Sequence, residues 1–81
     1  LRHVISEAPR VMVADGSRLV RKLIADVLER ELPGVQVLGC SSIAEARAAL
    51  EQGPVDLVTT ALTLADGDGL ELARCVVEES L

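Results

Sequence analysis

The sequence contains no Phe, Tyr or Trp. Any core must therefore be built from Leu, Val, Ile and Ala, and nucleic-acid bases would find no ring to stack on. Histidine is nearly missing too. His3 stands alone, with no Asp, Glu or Cys set around it to make a metal ligand or a catalytic base, so it reads as a solvated arm residue. Positive charge is scarce: 8 Lys and Arg face 13 Asp and Glu, a net charge of −5. An acidic surface repels phosphate backbones and anionic lipid, which argues against direct contact with nucleic acid or membrane. No apolar run is long enough to span a bilayer and no signal-peptide pattern is present, so a cytoplasmic protein is expected. The 2 cysteines, Cys40 and Cys75, are too few and too far apart for a zinc site or a redox CxxC pair. They read as small buried or half-buried thiols in a reducing cytosol.

What is present suits one small domain. The chain has 81 residues, 49% of them hydrophobic. It begins at Leu1 rather than Met, and an excised or trimmed piece is the expectation. Residues 1–9 show no clean period and read as an arm or linker ended by Pro9. The domain is expected over 10–81. Arg10–Ala14 is a short apolar strand closed by Asp15-Gly16-Ser17, and Ser17 can cap the following helix. In that helix Leu19, Val20, Leu23, Ile24, Val27 and Leu28 share one face at the 3.6-residue period, opposite Arg18, Arg21, Lys22, Asp26, Glu29 and Arg30. Pro33-Gly34 stops it. Val35–Gly39 reads as a second strand, and Ser41-Ser42 lead into a second helix with Ile43, Ala46, Ala49 and Leu50 inward.

The third unit is the most informative. Residues 55–61 are apolar and rich in β-branched side chains, as in a strand buried on both faces. A loop follows with Asp66, Gly67, Asp68 and Gly69, and Asp68 caps a helix over about 69–79. On that helix Leu70, Ala73 and Val77 form one apolar stripe, with Leu72 and Val76 beside it. Strand–helix three times over, with short connections, specifies an α/β fold with a parallel sheet and helices on both faces.

Chemistry in such a fold collects at the carboxyl ends of the strands. Here that rim carries Asp15, Ser17, Gly39, Cys40, Ser41, Ala61, Thr63, Asp66 and Asp68. Asp15-Gly16-Ser17 is too short for a phosphate-binding loop, and no GxGxxG occurs. No Ser/His/Asp set can form. Asp66 and Asp68, two residues apart in a turn, read as residues that cap and solvate the next helix rather than as paired catalytic carboxylates.

Two segments carry a family resemblance. Val11-Met12-Val13-Ala14-Asp15-Gly16-Ser17-Arg18-Leu19-Val20-Arg21-Lys22-Leu23-Ile24 resembles the first strand and helix of a response-regulator receiver domain, the module of two-component signalling and phosphorelays. Asp56-Leu57-Val58 through Asp66-Gly67-Asp68-Gly69-Leu70-Glu71-Leu72 resembles its third strand and the loop into its third helix. The resemblance covers residues 10–79, and both the internal spacing of the motifs and their separation match. It implies a flavodoxin-like fold, of which this chain would hold the first three βα units in strand order 2-1-3. It also implies phosphoryl transfer from a histidine kinase to an aspartate at the end of the third strand, assisted by an acidic pair and a magnesium ion.

Carried over by position, the acceptor falls on Ala61, the acidic pair on Asp15 and Gly16, a metal-binding backbone carbonyl on Thr63, and a frequent proline on Ala65. Ala61 has no nucleophilic atom, and Asp15 with one carbonyl is a poor magnesium site. Thr59, Thr60 and Thr63 lack an activating base and read as strand and loop residues. The expectation is thus a degenerate receiver domain with no catalytic residue, no metal and no cofactor. It would act as a protein–protein interaction or regulatory module toward a partner or effector domain, in the same polypeptide or another. The family fold has five strands. The chain stops after its third helix, so the 55–61 strand would be an open edge, to be covered by further chain or by a second molecule, including a dimer partner. Two alternatives stay open: an acceptor aspartate replaced by engineering, against which Gly16 argues, and a small-molecule or redox sensor that uses the emptied rim with an exposed Cys40.

Overall fold

A computed structural model describes residues 8–80. His3 and all of the expected 1–9 arm except Ala8 and Pro9 lie outside the described residues. Three parallel strands, β1 (Arg10–Ala14), β2 (Gln36–Cys40) and β3 (Leu57–Thr60), form one sheet in the order β2-β1-β3. In register, Ala14 lies beside Cys40 on one side and Thr60 on the other. Helices α1 (Arg18–Glu31), α2 (Ile43–Glu51) and α3 (Gly69–Ser80) alternate with the strands. A two-residue hairpin, β4 (Thr63–Leu64) and β5 (Gly67–Asp68), fills the connection from β3 to α3.

β1 is the buried centre. Successive side chains of a strand point to opposite faces, so Met12 and Ala14 face one way and Val11 and Val13 the other. All four are buried. Met12 and Ala14 join Cys40, Ile43, Ala46, Leu64 and Leu72 in one cluster roofed by α2 and α3. The opposite face, with Val11 and Val13, is covered by α1, which packs over β1 and β2. At the amino end of the sheet Arg10 fastens β1 to the approach to β3. Its N–H donates to Asp56 Oδ2 at 2.8 Å and its guanidinium to the Pro54 carbonyl at 2.7 Å.

The helices start where short polar side chains meet orphan amides. Ser17 Oγ accepts from the Val20 N–H at 3.2 Å, Ser42 Oγ from Glu45 at 3.1 Å, and Asp68 Oδ1 from Glu71 at 2.9 Å. Gly34, at φ +86°, turns the chain out of α1 in a conformation that side-chain-bearing residues resist.

Three expectations about burial are corrected. β3 spans 57–60 rather than 55–61, and it is not buried on both faces: Leu57 is 51% exposed. It is an edge among the described residues, and α1 lies over β1 and β2 instead. The α1 stripe forms as expected but stays largely in solvent, with Leu19 66%, Leu23 55% and Val27 46% exposed. On α3 the inner face is Leu72, Cys75 and the half-buried Val76, whereas Leu70, Ala73 and Val77 point outward. Gly69 sets that rotation. It is buried against the Ala61 carbonyl, and the residues three, six and seven positions on fall on the same side of the helix.

Candidate functional site

The parallel register brings the ends of β1, β2 and β3 to one rim. The Asp15 N–H donates to the Cys40 carbonyl at 3.0 Å, and the Ala61 N–H donates to the Ala14 carbonyl at 2.8 Å. Asp15 and Ala61 are therefore neighbours across the rim, with Cys40 and Ser41 on the far side of Asp15.

The groups at this rim are engaged with the chain itself. Asp15 Oδ1 accepts from the Ser17 N–H at 2.8 Å, a local turn that leads into the α1 cap. The Asp15 carbonyl accepts from Arg21 Nη1 at 2.7 Å. Arg21, one turn into α1, lies along Gly39, where an added Cβ would be 3.7 Å from its Cδ. This arginine is a rim residue that the sequence reading placed on the solvated face of the helix. Gly16 is exposed and an added Cβ would meet nothing within 4 Å. Ala61 is half-buried, and its carbonyl accepts from Thr60 Oγ at 2.8 Å. Thr63 is exposed and pairs with Asp68 in the hairpin.

Asp66 departs from expectation. It does not cap α3; that is the work of Asp68 alone. Its carboxylate instead reaches back to α2 and accepts from Ile43 N–H at 2.8 Å and Ala44 N–H at 3.0 Å. These two amides, Ile43 first, hold the carboxyl below its ordinary range. Glu45 is lowered likewise, by the Ser41 N–H at 2.6 Å and then the Ser41 hydroxyl at 2.8 Å. The spacing Ser42-Ile43-Ala44-Glu45 is a capping-box pattern that marks this turn in the sequence. No local pattern marks the partner of Asp66.

Cys40 is 2% exposed, in line with the reading of a small buried thiol and against the alternative of an exposed thiol at the rim. Burial, then the Glu45 carboxylate, push its pKa up, against a smaller opposing effect of Arg21. A neutral buried thiol is a poor nucleophile and a poor redox sensor. A cleft of about 110 Å³ lies away from the rim, lined by Arg47, Glu51, Cys75 and Glu78. Among the described residues no three His, Cys, Asp or Glu side chains are grouped so as to hold a metal ion.

No protein-family model matches the chain. Two curated relatives are named protein-glutamate methylesterase/protein-glutamine glutaminase. The one from Agrobacterium fabrum is 41% identical over 74 residues, 90% of this chain and 21% of the relative. The one from Nocardioides sp. is 37% identical over 70 residues, 83% of this chain and 18% of the relative. The chain thus spans about a fifth of the length of the curated relatives it matches. Among solved structures, the non-phosphorylated HemR receiver domain from Leptospira biflexa superposes with a TM-score of 0.76 at 27% identity, over 88% of this chain and 56% of that one.

Proposed function

Given that the chain is a response-regulator receiver domain, with the flavodoxin-like order β2-β1-β3, we propose that it is a degenerate one. It signals through contact with a partner and takes up no phosphoryl group. The observation that carries this reading is Ala61, a methyl group at the end of β3 beside Asp15. A carboxylate attacking phosphorus needs an oxygen there, and the position supplies none.

The magnesium ion that the family implies does not fit the residues present. A hard, strongly hydrated cation is held by oxygen ligands. Gly16 and Ala61 offer no side-chain oxygen, which leaves the Asp15 carboxylate, with Oδ1 accepting the Ser17 N–H, as the one side-chain oxygen donor among these three positions. The threonine nearest the position, Thr60, spends its hydroxyl proton on the Ala61 carbonyl. The rim is instead closed by donors of the chain itself, Arg21 on the Asp15 carbonyl and two α2 amides on Asp66. An arrangement so satisfied acts as a surface of fixed shape.

The partner in this reading is an effector domain of the same polypeptide. Support comes from relatives of which this chain matches about a fifth; an effector of their named class is the first candidate. The chain itself contributes no hydrolytic chemistry in this account. We place it in the cytoplasm; among the described residues no helix is long and apolar enough to cross a membrane. The test is incubation with acetyl phosphate and magnesium, read by intact mass. The expected result is an unchanged mass. A stoichiometric gain of one phosphoryl group that survives replacement of the rim threonines and serines would overturn the reading.

A further inference from the structure

The hairpin after β3 is joined to α2 across a sequence separation of 23 residues. The first amides of a helix have no partner within it. In α2 the local cap, Ser42 Oγ, serves only Glu45 N–H, and the two amides before it are served by Asp66. A carboxylate at a helix amino end gains from both the charge-assisted bonds and the helix dipole. Packing fixes the same hairpin at two further points. Leu64 is 5% exposed within the core cluster that contains Ile43 and Ala46. Gly67 lies so close to Ile43 Cδ1 and the Glu71 carboxylate that an added Cβ has no room. At its far end the Gly69 N–H donates to the Leu62 carbonyl at 2.9 Å.

We propose that β4–β5 is a strap, fastened by Asp66, that locks the loop carrying Ala61 and Thr63 to the first turn of α2. The rim and α2 then move as one body. A partner that displaces the loop must also uncap α2, and a partner that grips the start of α2 stiffens the loop. The coupling is a property of the fold and stands whether or not the rim accepts phosphate.

Amide hydrogen exchange on the full chain tests it, with Asp66→Asn against Ser42→Ala. Asp66→Asn keeps the shape but removes the charge and one acceptor oxygen. The expected result is exchange faster by about tenfold or more, the order set by losing one charge-assisted hydrogen bond, at Ile43, Ala44, residues 63–68 and Gly69 together. Ser42→Ala uncaps the same helix locally and is expected to quicken α2 amides while 63–68 keep their protection. Acceleration confined to Ile43 and Ala44 in Asp66→Asn would overturn the proposal, since Asp66 would then be a cap and nothing more. Equal release of 63–68 by Ser42→Ala would also overturn it. Should Asp66→Asn fail to fold, Asp66→Glu, which keeps the charge and shifts it by one methylene, is read by the same criteria.

Discussion

Gly69→Ala is expected to destabilise the domain although it places a better helix former at the start of α3. A Cβ at Gly69 would lie 2.6 Å from the Ala61 carbonyl oxygen, 3.1 Å from Thr60 Cγ2 and 3.2 Å from Thr60 Oγ. The closest of these is a backbone atom that cannot swing aside. The Ala61 N–H is tied to Ala14 at 2.8 Å, and the Gly69 N–H to Leu62 at 2.9 Å, so relief requires α3 to move off the rim. Overpacking of this kind costs about 1–3 kcal/mol. Loss of the Gly69–Leu62 hydrogen bond would add about 1 kcal/mol. The opposing gain in helix propensity is at most about 1 kcal/mol. Gly69 does not have a positive φ, so the clash and not the backbone conformation decides the sign. The balance is a loss of about 1–3 kcal/mol, or a fall in Tm of roughly 5–20 °C for a domain of this size. Thermal and urea melts followed by circular dichroism read it directly. Gly16→Ala is the reference, because its Cβ would meet nothing within 4 Å, and it is expected to change stability by less than about 0.5 kcal/mol. A Gly69→Ala protein as stable as the parent would refute the close approach of α3 to the rim.

Leu72→Ala removes a fully buried side chain and is expected to cost about 2–5 kcal/mol, whereas Leu70→Ala, at a position 74% exposed, is expected to stay within about 0.5 kcal/mol; paired urea melts would check the assigned rotation of α3. Ala61→Asp combined with Gly16→Asp restores two oxygen-bearing side chains, one of them in open space, and is expected to gain an acid-stable, base-labile phosphoryl adduct from acetyl phosphate and magnesium where the parent gains none. Asp66 and Glu45 both titrate lower in the folded chain than unfolded, so their contribution is complete above the unfolded carboxylate range and is lost as pH falls through that range and below; urea midpoints should drop on acidification, and less steeply in Asp66→Asn.

The parts of this fold that were legible in sequence depend on neighbours along the chain. Ser17 and Asp68 announce their helices because a cap acts three residues ahead. The parallel sheet follows from the short connections and the strand order from the family resemblance, and register puts Ala61, the position the resemblance assigns to the acceptor, beside Asp15. What was misread depends on choices among equivalent local patterns. On α3 two apolar stripes share the same period, and only the contact of Gly69 with Ala61 selects Leu72 and Cys75 for the inside. The α1 stripe establishes an amphipathic helix without establishing that anything covers it. Asp66 and Asp68 look alike as loop carboxylates. One serves the helix after it and the other a helix 23 residues before it, a partner that no local rule could find. The same distinction bears on how such a domain evolves. In the proposed reading, loss of an acceptor carboxylate would erase chemistry at one position, while the shape of the rim is held by Arg21, Gly69 and Asp66, whose roles lie in the tertiary structure. On that reading, degeneration of the reaction would leave the shape of the rim intact, so that selection could keep a contact surface after losing the chemistry.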